Sequence, residues 1–151
     1  MTVAQEFLEV ADWLDAAYEA LSVNDIDLFL TAFAQEARWN LQGRSAGLPF
    51  AGVKVGHLAI REMIAAIHAE FRICDFFVED IVANQESAAV RWSAMATSIV
   101  TGRQLQLDVF DHIVIKDGKI VSLTQFFDSA AIAATAGNVP PVLRGTKAAA
   151  G

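Results

Sequence analysis

Apolar residues recur at helical spacing through the first half of the chain and at alternate positions through most of the second. Within residues 4–22, Phe7, Val10, Ala11, Leu14, Tyr18 and Leu21 share one side of a helical wheel, while Glu6, Glu9, Asp12, Asp15 and Glu19 fall mostly elsewhere. This spacing predicts an amphipathic helix. Asn24 or Asp25 can cap a second helix running through Ala34, because a short polar side chain accepts a bond from a free backbone N–H there. Trp39, Asn40, Leu41 and Gln42 read as a short strand, followed by a Gly- and Pro-containing loop from Gly43 to Gly56. A third helix follows, with Ile60, Met63, Ile64, Ile67 and Phe71 on one side.

From Cys74 onward β-branched and aromatic residues become frequent and the period shifts toward two. Strands are predicted near 74–83, 88–100, 104–116 and 119–128, with turns at Asn84 to Ser87, Thr101-Gly102 and Asp117-Gly118. Asp-Gly between alternating runs is a strong hairpin signal, since both central positions of that turn take positive φ. Helices first and a strand meander afterwards define an α+β domain with its helices on one face of a curved antiparallel sheet. The pattern places one domain at 1–136 and a tail at 137–151, the last ~20 residues, rich in Ala, Gly and Pro, reading as a short helix followed by that tail.

One position breaks the pattern. Leu105, Leu107, Val109, Asp111, Ile113 and Ile115 form one strand face, apolar except for a carboxylate. An unpaired buried carboxylate costs several kcal/mol or takes up a proton, so Asp111 needs a partner or a use. A two-residue turn at Asp117-Gly118 would set Asp111 opposite Thr124 and Val109 opposite Phe126, with Asp128 on the same face about 14 Å away along the strands. The same rule at Thr101-Gly102 would set Trp92 opposite Asp111 and turn Arg91 away. An indole beside a carboxyl group in a dry site raises its pKa. The blander readings are a core carboxylate satisfied by Thr124 or by backbone N–H groups for Asp111, and a helix N-cap for Asp128.

Composition narrows the partners. With 151 residues, 54% of them hydrophobic, and a net charge of −7, the chain offers a large apolar core or cavity and no basic patch for nucleic acid or an anionic membrane. Cys74 is the only cysteine, so no internal disulfide forms. The first residues lack the basic and apolar regions of a leader, and no apolar run approaches the length of a membrane span. A cytoplasmic location is therefore expected. His57, His68 and His112 read as surface or interface residues. No metal-ligand spacing, phosphate loop, nucleophile elbow or dinucleotide fingerprint is present, so neither metal nor cofactor is expected.

The segments NDIDLFLTAFAQEARW, AGVKVGHLAIREMI and DVFDHIVIKDGKIVSLTQFFDSAAI together resemble the NTF2-like superfamily, in its SnoaL-like and ketosteroid-isomerase-like branch, over residues 5–135. The resemblance implies a cystatin-like α+β cone, a sheet wrapped on three N-terminal helices around an apolar pocket, and a homodimer using the open sheet face. Asp111 falls where ketosteroid isomerases keep a protonated oxyanion-hole aspartate. Their partner tyrosine falls on Ala17, beside Tyr18, and their general base on Leu41. The last third is also similar to limonene-epoxide-hydrolase-like proteins. Asp128 falls on one of their three charged catalytic positions, Trp92 and Ala94 on the other two, and Trp39 and Leu41 on their water-positioning residues.

These readings converge on a pocket lined by Tyr18, Trp39, Leu41, Trp92, Val109, Thr124 and Phe126, with Asp111 and Asp128 as catalytic candidates. The leading expectation is a cofactor-free isomerisation, cyclisation or dehydration of a small, largely apolar carbonyl compound. In it Asp111, held protonated, donates to an enolate oxygen or shuttles a proton, with Asp128 as base or orienter. The alternatives are a non-catalytic binder of a hydrophobic small molecule, an epoxide-hydrolase-like enzyme with an altered site, and a dimeric module with a filled core.

Overall fold

The computed structural model describes residues 2–43 and 48–138. Its elements are α1 (Val3–Ser22), α2 (Ile26–Leu30), β1 (Phe33–Leu41), β2 (Gly52–Val55), α3 (His57–Glu70), β3 (Phe71–Ala83), β4 (Ser87–Ser98), β5 (Gln104–Lys116), β6 (Lys119–Phe126) and α4 (Ser129–Thr135). Six strands form one sheet in the order β2-β1-β6-β5-β4-β3. The class is α+β, as its pattern predicts. One pair departs from the antiparallel expectation, since β1 runs parallel to β6. The tail expected after residue 136 lies, from residue 139 on, outside the described residues.

Helix α1 begins at a capping box, in which Thr2 and Gln5 bond each other's backbone N–H groups, satisfying donors that a helix start leaves free. It buries Leu14, Ala17 and Tyr18. Helix α2, capped by Asp25, is shorter than the predicted run through Ala34. The reason lies in strand β6, where Lys119 Nζ takes the carbonyl of Thr31 at 2.6 Å and Ile120 N–H that of Ala32 at 2.9 Å. The chain is thus drawn into β1 at Phe33, well before Trp39. The loop expected at 43–56 contains the short edge strand β2, and Phe71, expected on the third helix, opens β3.

Irregularities in strands β3 and β6 shape the sheet around the site. Strand β3 carries two extra residues against β4, one between Cys74 and Phe77 and one between Val78 and Asp80. Each resets the alternation, so that Phe71 and Ile73, then Phe76 and Val78, then Ile81 and Ala83 all turn toward the helices. Asp75, at φ 53, forms the first bulge, and bulges of this kind bend a strand. On β6 the extra residue is Val121. The turn itself is as predicted, with Asp117 at φ 51, Gly118 at φ 72 and Lys116 opposite Lys119. Beyond the bulge Asp111 faces Gln125, while His112 faces Thr124 and Phe110 faces Phe126.

The β4–β5 connection is longer than a two-residue turn. Pairing resumes at Thr97 opposite Gln104, which sets Trp92 against Val109 and Val90 against Asp111. A displacement of two residues preserves the face of every side chain. Trp92 and Asp111 therefore stay on the inner side, as diagonal rather than direct neighbours. Arg91 points outward, as expected, and pairs with Asp108 at 3.2 Å.

Candidate functional site

Asp111 is fully buried. Its Oδ2 accepts the Tyr18 hydroxyl at 2.5 Å and the Trp92 indole N–H at 2.9 Å. Phe76 stacks on both donors, at 4.7 Å from the Trp92 ring and 6.4 Å from that of Tyr18. The β3 bulge beside Asp75 is what turns Phe76 into that position. One helix and three strands thus converge on a single carboxylate.

Burial pushes the Asp111 carboxyl up to about 6, against hydrogen bonds from Tyr18 and Trp92 and the pull of the Gln125 side chain. Gln125 acts from outside normal hydrogen-bond geometry, because Oδ1 has no partner among the described residues. Asp111 therefore keeps its proton to a higher pH than an ordinary carboxylate, the direction that its burial demands. The Tyr18 hydroxyl, buried beside this carboxyl, is raised well above its ordinary value and stays a donor.

A cavity of about 120 Å³ opens between the sheet and the helices. Its wall is mainly apolar, including Trp39, Leu41, Met63, Ile64, Phe71, Phe76, Trp92, Ala96, Leu107 and Val109. Few polar side chains line it: Ser22 of α1, His68 of α3, Gln125 of β6 and the two indoles. The Trp39 Nε1–H is buried with no partner among the described residues.

Of the residues named from the sequence, Trp39, Leu41, Trp92 and Val109 line the cavity. Asp111 and Tyr18 do not; they sit behind the wall made by Trp92, Val109 and Gln125. Thr124 and Phe126 project from the opposite face, because the bulge at Val121 shifts their register by one residue, and Phe126 is exposed. Asp128 is exposed at the start of α4, its carboxylate accepting the Ala131 N–H at 3.0 Å as an N-cap. The sequence reading missed His68 and Gln125. For His68 a signal existed, since it follows Ile64 and Ile67 on the cavity side of α3 and closely precedes Phe71, the first residue of β3. Burial pushes its imidazole below the usual histidine value, and among the described residues it has no hydrogen-bond or ion-pair partner. Among those residues, no group of three or more His, Cys, Asp or Glu is placed to share a metal ion.

A cone of helices closed on a curved sheet over an apolar cavity is the NTF2-like fold. Solved structures share it: an NTF2-like protein of unknown function from Burkholderia pseudomallei (TM-score 0.72, 21% identity, 79% of this chain and 90% of that one), TerC co-crystallised with polyporic acid (0.76, 19%, 85% and 98%), and a candidate SnoaL-like polyketide cyclase from Mesorhizobium loti (0.65, 19%, 78% and 97%). The sequence matches the SnoaL-like domain family over residues 14–123, and the chain belongs to that family. No curated protein matches it.

Proposed function

We propose that the protein is a SnoaL-like enzyme that takes a small, flat, largely apolar carbonyl compound into this cavity and moves a proton on it without a cofactor. The outcome would be isomerisation, cyclisation or dehydration. One observation carries the reading: an otherwise apolar cavity has its polar lining confined to a few side chains, which can orient one or two oxygen atoms while the wall excludes water. The co-crystal of TerC with polyporic acid and the structural likeness to a candidate SnoaL-like polyketide cyclase support this class of ligand.

In this reading Asp111 is a positioning residue. Its carboxyl holds the Trp92 indole and anchors α1 through Tyr18, fixing the wall against which the ligand lies. The unpartnered Trp39 N–H is suited to a ligand oxygen, because a buried donor left unpaired costs about 1–3 kcal/mol. A non-catalytic binder is the second reading. It is favoured by the engagement of both sequence-nominated carboxylates, Asp111 and Asp128, away from the cavity. The two separate on exchange of the α-protons of a bicyclic aromatic ketone, α-tetralone, with heavy water. An enzyme accelerates deuteration of the bound ketone above the buffer rate; a binder saturates with ketone and leaves that rate unchanged.

A further inference from the structure

The proposed chemistry needs a group that accepts a proton inside the cavity, and the two carboxylates nominated from the sequence are elsewhere. Asp111 lies behind the wall with Oδ2 occupied by two donors, and Asp128 caps α4. Tyr18 is buried against Asp111. Among the described residues that line the cavity, the one titratable side chain is His68.

We propose that His68 is the general base of this site, acting on a carbon acid, that is, a C–H bond next to a ligand carbonyl. The proposal rests on the enzymatic reading above. Three features of position support it. His68 stands in the last turn of α3, between Ile67 and Phe71 of the cavity wall, so its ring meets a ligand packed on those residues. It is half-buried, so a proton taken from the ligand can pass on to water. Neither ring nitrogen is committed to another described residue, which leaves the unprotonated nitrogen free to accept. Burial also favours the neutral imidazole at neutral pH, the form a base requires.

The step balances within the site. The α C–H bond breaks, its proton forms an N–H bond on His68, and its electron pair spreads into an enolate on the ligand oxygen. Imidazolium then returns a proton to the same carbon, or to the far end of a conjugated system in an isomerisation. Gln125 lines the same cavity and is the side-chain amide available to the enolate oxygen.

The experiment measures deuterium uptake at the α-carbon of α-tetralone in heavy water, beside its binding by titration calorimetry, for wild type, His68→Gln and His68→Phe. We expect both variants to bind the ketone within about threefold of wild type and to lose about 100-fold in exchange rate, as removal of a general base does. If exchange survives in both variants, His68 is not the base, while the enzymatic reading stands. Binding without exchange in wild type overturns this proposal and supports the binder. Absence of binding in wild type overturns the cavity reading and this proposal with it.

Discussion

At the scale of the residue, Asp111 ties chemistry to stability. Its carboxyl ionises at about 6 in the folded chain, against an ordinary value of 3.8. The folded state therefore holds a proton that the unfolded state releases between these values, and stability falls as pH rises through that window. A difference of this size corresponds to roughly 3 kcal/mol. Asp111→Asn removes the titration. Urea denaturation at about pH 4, 5, 6 and 7 is expected to show the variant gaining on wild type by up to roughly 3 kcal/mol across the window, with no further gain above about 6. The sequence made Asp111 legible because one charge stood on a strictly alternating apolar face. It left Tyr18 ambiguous, since one residue on a helix turns a side chain by about 100° and family position alone pointed at Ala17.

At the scale of the element, the bulges decide which side chains meet. Phe76 reaches Trp92 and Tyr18 because Asp75 takes a left-handed backbone conformation at φ 53. A β-branched residue there is strained, so Asp75→Val is expected to cost about 1–2 kcal/mol in chemical denaturation and to disturb the near-ultraviolet signal of Trp92, whereas Asp75→Gly keeps both. On β6 Ile120 and Leu123 are both buried, a spacing of three that a regular strand cannot place on one face and that the apolar run Ile120, Val121 and Leu123 does not reveal beforehand. Turn chemistry fixed the hairpin correctly, but a bulge downstream of the turn leaves no mark on it, so Thr124 and Phe126 were assigned to the wrong side. Asp128 tests element against chemistry. As an N-cap, Asp128→Ala should lower stability by about 1 kcal/mol and leave α-tetralone exchange at the wild-type rate.

At the scale of the whole molecule, the cone separates two apolar surfaces. The inner one lines the cavity. On the outer face Phe110 and Phe126 are direct cross-strand partners, with Val114 on the same strand as Phe110, and all three are exposed. Exposed aromatic residues side by side on a sheet face are suited to pairing with a second copy. Sedimentation velocity should then give a dimer for wild type and a monomer for Phe110→Lys with Phe126→Lys; a wild-type monomer would remove that expectation. The fold class was legible because periodicity and turn residues agree along most of the chain. The parallel β1–β6 pair was not, because the contact joins segments roughly 85 residues apart and no local pattern encodes it. His68 was passed over for a related reason: its neighbours on α3 mark a buried side, but only the assembled cone shows that this side faces space rather than packed core.

The central claim is that a flat carbonyl compound occupies the inner cavity, and the chain's three tryptophans offer a direct test. Trp39 and Trp92 line the cavity, whereas Trp13 packs elsewhere against the core. In a heteronuclear NMR titration with α-tetralone, the indole N–H resonances of Trp39 and Trp92 should shift saturably with one affinity while that of Trp13 stays in place. Unmoved Trp39 and Trp92 signals at saturating ketone, or shifts centred on Phe110 and Phe126 of the outer face, would contradict the account.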